Sequence, residues 1–212
     1  MQITCEAVLF DNDGVLVDSH QQGTDAWRRV SDEFDMDWSV VQTEFVGVPA
    51  AETLGRLLPP DRAKAAIPRL EDLEVDYATN TPVFPGSMEL LAALPTGRWT
   101  IVTSASRRLA LARWHAAGIT PPDTVVTADD VTRGKPDPEP FVTGARRLGV
   151  DPAGCVVFED SPSGGRAARA AGAQVIAVGD LSWDIEPTAR VQDLSAVSAA
   201  TAADGSIVLT VH

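Results

Sequence analysis

Five short apolar runs, spaced along the chain and each followed by small, acidic or hydroxylated residues, leave few architectures open. They are ITCEAVLF (3–10), WTIVTS (99–104), TVVT (124–127), CVVFED (155–160) and QVIAVG (174–179). Helix-like segments alternate with the later runs at 107–117, 138–148 and 163–172, and Gly172 is suited to cap the last of them. Strands alternating with helices of this length predict an α/β chain, a parallel sheet with crossover helices on both faces. The end of the first run is apolar enough for burial on both faces, as an inner parallel strand requires. Ligands of such sheets bind beyond the carboxyl ends of the strands.

The alternation is broken once. Residues 20–80 hold no convincing strand but several helical stretches, at 20–34, 39–45, 50–58 and 61–78. TPVFPG (81–86), with two prolines, marks the return to the sheet. A connection of this length far exceeds an ordinary crossover. The expectation is a helical subdomain over 19–81, inserted into a core formed by 1–18 and 82–212.

Chemistry-bearing side chains stand at the strand ends. Asp11 and Asp13 follow the first run, and residues two apart on an extended chain point the same way, leaving Asn12 on the other side. Two such carboxylates raise one another's pKa and are unfavourable unless something positive sits between them. The second run ends in hydroxyls at Thr103, Ser104 and Ser106; Lys135 lies between Gly134 and Pro136; and the fourth run ends in Glu159 and Asp160. Each feature alone has an ordinary explanation, as a turn, a helix cap or a solvated charge. Their occurrence at the ends of strands in one parallel sheet is what argues for a site. Carboxylates with few other donors suit a hard divalent cation, and Mg²⁺ fits best because it takes few protein ligands. Zinc is disfavoured, since His20, His115 and His212 have no ligand spacing. A calcium-binding EF-hand loop is excluded, because Leu16 and Gln22 occupy the positions of its obligatory Gly and Glu.

A formal net charge of −13 argues against nucleic acid or an anionic membrane surface as partner. An anionic small molecule would have to be drawn in locally, by a metal and Lys135. No apolar run approaches the ~20 residues that span a bilayer, and MQITCEAVLF lacks a basic leader region, so the expectation is a cytoplasmic protein, monomeric or weakly dimeric. Cys5 and Cys155 lie in apolar segments and read as buried free thiols; neither precedes a phosphate-cradling loop.

Asp-x-Asp-Gly after the first strand, a hydroxyl after the second, a distant Lys and then an acidic pair resemble the haloacid dehalogenase-like hydrolases. RWTIVTSASRR, GKPDPEPF and VVFEDSPSG are most similar to the sugar-phosphate and glycerol-phosphate phosphatases of that family, near the β-phosphoglucomutases. The resemblance implies a Rossmann-like core, a helical cap and Mg²⁺-dependent hydrolysis of a small phosphorylated metabolite. It implies Asp11 as nucleophile, Asp13 as general acid and base, Ser104 as a phosphoryl ligand and Lys135 as charge stabiliser. It gives the metal to Asp11, the main-chain carbonyl of Asp13, Asp160 and Glu159. The leaving-group side would be met by His20, Gln21, Asp25, Trp27 and the stretch 44–54 with Gly47, and by Ala105 and Ser106. Asn12 stands where the family commonly has an apolar residue, and its partner is left open. At the position of the mutases' cap histidine the chain has Gly23, with His20 three residues earlier, which favours hydrolysis over a mutase. A non-enzymatic receiver-like domain, phosphorylated at Asp129 or Asp130, is the alternative from another class.

Overall fold

The fold was obtained as a computed structural model, which describes residues 1–45, 48–180 and 183–212. The first apolar run is two strands, not one. In β1 (Gln2–Cys5) burial alternates, whereas β2 (Ala7–Phe10) is buried throughout. An alternating strand suits a sheet with one wet face, and a continuously buried strand suits the inside of a parallel sheet. The chain changes sheets at Glu6, whose N–H donates to the Gly154 carbonyl at 2.7 Å.

The parallel sheet has the order β3-β2-β4-β5-β6, with β3 at Trp99–Ile101, β4 at Cys155–Glu159, β5 at Gln174–Val178 and β6 at Ala189–Val191. The second sheet is antiparallel, β1-β8-β7, with β7 at Val197–Thr201 and β8 at Ile207–Val211. Sequence reading assigned nothing to β6, β7 or β8. The segment TVVT forms no strand: only Val126 pairs, bridging to Val102, before the chain turns at Thr127.

Side-chain alternation along β2 sorts the core into two faces. Val8 and Phe10 pack with Ile101, Val156, Phe158 and Ile176, under α5 (Ser87–Ala93) and α6 (Arg107–Ala117). Ala7 and Leu9 pack with Val102, Val157 and Val175, under α7 (Glu139–Leu148) and α8 (Pro162–Ala170). Register sets Phe10 opposite Phe158, and their rings stack with centroids 5.1 Å apart.

Between β2 and α5 the described residues form four α-helices, α1 (His20–Glu33), α2 (Trp38–Glu44), α3 (Ala50–Leu57) and α4 (Pro60–Tyr77), the last followed by a 3-10 turn at Ala78–Asn80. Their apolar residues recur at helical spacing, Ala26, Trp27 and Val30 on α1 and Ala63, Ala66, Leu70 and Leu73 on α4. These residues form a cluster of their own, apart from both faces of the sheet. Trp27 is buried there and stacks on Phe45 with centroids 5.1 Å apart.

Candidate active site

β2, β3 and β4 end side by side, and the side chains after them meet. The Asp11 N–H still pairs with the Phe158 carbonyl at 2.9 Å, so the ladder holds the first carboxylate just beyond the strand. Lys135, its side chain 5% exposed, lies with Nζ 2.5 Å from Asp11 Oδ1 and 3.1 Å from the Val102 carbonyl. The same ammonium donates to Glu159 Oε1, while Glu159 Oε2 accepts from the N–H and hydroxyl of Ser161 at 2.9 Å. Glu159 is thus fully buried at the N-terminus of α8, where the helix dipole favours its charge.

Gly14 explains why an Asp-Gly pair stands here. Its φ is +82°, and a Cβ on it would lie 2.1 Å from Asp160 Oδ2. The turn is left-handed and also makes room for the fourth carboxylate. One oxygen each from Asp11, Glu159 and Asp160 can lie within 4.8 Å of one another, a donor set that could hold a metal ion. Two of them, Asp11 and Asp160, are far from their ordinary behaviour. Burial pushes Asp11 up to about 7, with Lys135 pulling it down and Glu159 and Asp13 adding to the rise. Burial likewise pushes Asp160 up to about 8, reinforced by the charges of Asp11 and Glu159. For Lys135 burial acts downward, but Asp11 and Glu159 outweigh it and hold the ammonium above the usual lysine range.

Asp13 has different company. Its Oδ1 accepts from the Ser19 hydroxyl at 2.5 Å and forms an ion pair with Arg113 Nη1 at 2.9 Å. Arg113 also reaches Glu74 of α4, at 3.5 Å from Nη2 to Oε1. Burial pushes Glu74 up to about 7 against the pull of Arg113. Sequence reading missed Arg113, Ser19 and Glu74. Arg113 did carry a signal, a charge on the apolar face of α6 beside Leu109, Ala110 and Trp114.

Asn12 turns away from this cluster and acquires the partner that the sequence left open. It is fully buried, and its Oδ1 accepts from Trp114 Nε1 at 2.8 Å. Replacing Trp114 by Phe should destabilise the protein by about 1–3 kcal/mol in urea unfolding, because it leaves a buried amide oxygen unpaired. Adding Asn12→Leu should recover at least half of that loss, since then neither polar partner remains. A single variant within about 0.5 kcal/mol of the unaltered protein would contradict this account, since that is the range of surface substitutions.

Ser104 is exposed just past β3, and its hydroxyl makes no hydrogen bond among the described residues. Ala105 is held by its N–H to Thr103 Oγ1 at 3.0 Å. Ser106 caps α6, accepting from the Leu109 N–H at 3.3 Å, and its hydroxyl donates to Glu71 of α4. His20 is exposed, with Nε2 4.0 Å from Asp160 Oδ2, whereas Gln21 bonds Asp25 within its own helix at 2.9 Å. Gly47 lies outside the described residues. Asp129 and Asp130 are engaged elsewhere: Asp129 accepts the Arg107 N–H at 2.8 Å, and Asp130 binds Arg107 and Arg147 at 2.8 Å and Thr127 at 2.9 Å.

Known proteins resemble this chain over most of its length. A family model described as haloacid dehalogenase-like hydrolase matches residues 5–172. Hexitol phosphatase A of Escherichia coli (strain K12) is 37% identical over 180 residues, covering 82% of this chain and 83% of that protein. Glycerol-1-phosphate phosphohydrolase 2 of Saccharomyces cerevisiae is 32% identical over 194 residues, covering 84% and 76%. A crystal structure of β-phosphoglucomutase from Clostridium difficile has the same fold, with a TM-score of 0.76 over 90% of this chain and 92% of that one, at 23% identity.

Proposed function

The chain belongs to the haloacid dehalogenase-like hydrolases, and on that premise we propose a Mg²⁺-dependent phosphatase that hydrolyses a small sugar- or polyol-phosphate through an aspartyl-phosphate on Asp11. The observation that carries the proposal is the meeting of Asp11, Lys135, Glu159 and Asp160 beyond neighbouring strand ends. The broader activity, hydrolysis of phosphoric monoesters, is that of the related phosphatases. The substrates in those relatives' names, a hexitol phosphate and glycerol 1-phosphate, support the polyol or sugar class.

Asp11 attacks phosphorus; the bond to the ester oxygen breaks as the bond to the carboxylate forms. Lys135 keeps the nucleophile ionised and oriented by holding Asp11 Oδ1. Asp13 gives its proton to the departing alkoxide, then takes one from the water that attacks the aspartyl-phosphate and releases inorganic phosphate. The free hydroxyl of Ser104 is suited to donate to a phosphoryl oxygen. Asp11, Glu159, Asp160 and the main-chain carbonyl of Asp13 would hold Mg²⁺, and Glu159 also steers Lys135. Bound there, the cation neutralises phosphoryl charge, which a chain of net charge −13 needs in order to admit a dianion. The helical segment over 19–81 is read as a cap over this site, and the setting as the cytoplasm.

The test is phosphate release from a panel of sugar and polyol phosphates and from p-nitrophenyl phosphate, with Mg²⁺ and with EDTA. Turnover that EDTA abolishes is expected, and none on any member would refute the reading. A mutase is the second reading, against which Gly23 stands at the position of the mutases' cap histidine. It predicts isomer formation outpacing phosphate release in the same assay.

A further inference from the structure

Arg113 is only 6% exposed, on the buried face of α6 with Leu109, Ala110 and Trp114. A guanidinium in that position is costly unless opposite charges receive it. It has two, on separate parts of the chain: Asp13 at 2.9 Å in the loop after β2, and Glu74 at 3.5 Å on α4. Two neighbouring contacts fix α4 against the same helix, the Ser106 hydroxyl on Glu71 and Arg108 Nη1 at 2.5 Å from Asp72. The cation therefore sits where the helical insertion, α6 and Asp13 meet.

We propose that Arg113 is a positioning residue for the acid/base carboxylate, with Glu74 of the helical insertion as its counter-anchor. The inference rests on reading Asp13 as the proton donor to the leaving group. Arg113 and the Ser19 hydroxyl both address Oδ1, and no hydrogen bond reaches Oδ2 among the described residues. Oδ2 is therefore the atom left to pass the proton to the ester oxygen as the bond to phosphorus breaks. Without Arg113, Asp13 would lose the ion pair on its Oδ1, and among the described residues only the Ser19 hydroxyl would still hold that carboxyl in place.

Leaving groups separate this role from a merely structural one. A p-nitrophenolate departs without a proton, whereas the alkoxide of a sugar or polyol needs one. The ratio of kcat/KM for the alkyl and aryl substrates reports phosphoryl transfer to Asp11, before the common intermediate is hydrolysed. Arg113→Met should lower kcat/KM for the alkyl phosphate by about 30-fold or more and for p-nitrophenyl phosphate by less than about threefold, a part of what general acid catalysis contributes. Arg113→Lys, which returns a cation to the same place, should bring the ratio back toward that of the unaltered protein. Equal losses on both substrates, or no loss on either, would overturn the proposal. Should the Met variant fail to fold, Glu74→Gln carries the test: a fall of about threefold in the alkyl-to-aryl ratio supports the proposal, as the weaker anchor of a proton-transfer group, and an unchanged ratio overturns it. Failure of the parent reading looks different, since the unaltered protein would then show no EDTA-sensitive turnover of the aryl phosphate.

Discussion

Asp11→Asn should lower kcat/KM by more than ~10³-fold, because no other group can replace a nucleophile that forms a covalent bond to phosphorus. The substitution is nearly isosteric, and an amide oxygen can still accept from Lys135 Nζ, which lies 2.5 Å from the present carboxylate. It also removes one charge from a crowded set. Burial and the charges of Glu159 and Asp13 push Asp11 up to about 7, so the folded protein holds the ionised form at a disadvantage there. The variant should consequently unfold at an equal or higher temperature than the unaltered protein in EDTA. Inactivity can then be assigned to lost chemistry, not to a lost fold. The measurement pairs kcat/KM on the best substrate of the panel with thermal unfolding. A variant keeping more than about a tenth of the activity would mean that Asp11 does not attack, and that the step is direct hydrolysis by water or uses another nucleophile.

How far this site could be read from the sequence differs from residue to residue, for physical reasons. Asp11, Lys135, Glu159 and Asp160 all follow, or are gathered beside, strands whose apolar runs stand out. Once the sheet is parallel, its topology brings their ends together. The helices of the insertion were legible because each buries one apolar stripe at helical spacing. The first run was misread as one strand because alternating ITCE and continuously apolar AVLF adjoin without a turn residue between them. The final hairpin was within reach, since Asp204-Gly205 joins β7 and β8 with Gly205 at φ +85°. Asn12 and Trp114 pair across 102 positions, and nothing local in either sequence announces a donor for the other. Glu74 is a charge within an acidic helix, and only the packing of α4 on α6 singles it out.

Lys135→Met should cost about 3–5 kcal/mol of stability in metal-free protein, because it strands buried carboxylates that had one cation between them. The Lys135 ammonium touches Asp11 Oδ1 at 2.5 Å and Glu159 Oε1, and the Glu159 side chain is 0% exposed. The size of the effect depends on pH, with a definite sign. Burial raises Asp11 to about 7 and Asp160 to about 8, both from an unfolded value of 3.8. A carboxyl raised in the folded state favours folding when protonated. Its contribution is complete below the unfolded pKa and is lost as pH climbs through the folded one. In EDTA the unaltered protein should therefore lose stability between about pH 4 and pH 8 from these groups, and Mg²⁺ should restore more at the upper end than at the lower. Removing Lys135 takes away the main downward pull on Asp11, so its folded pKa moves higher still and the loss with pH steepens. The gap in unfolding free energy between variant and parent should be wider at about pH 8 than at about pH 5, where the variant can protonate its orphaned acids. Urea unfolding of both proteins at the two pH values in EDTA decides the matter. A gap that is absent at the higher pH, or wider at the lower, would show that Lys135 is not what makes these carboxylates tolerable in the fold.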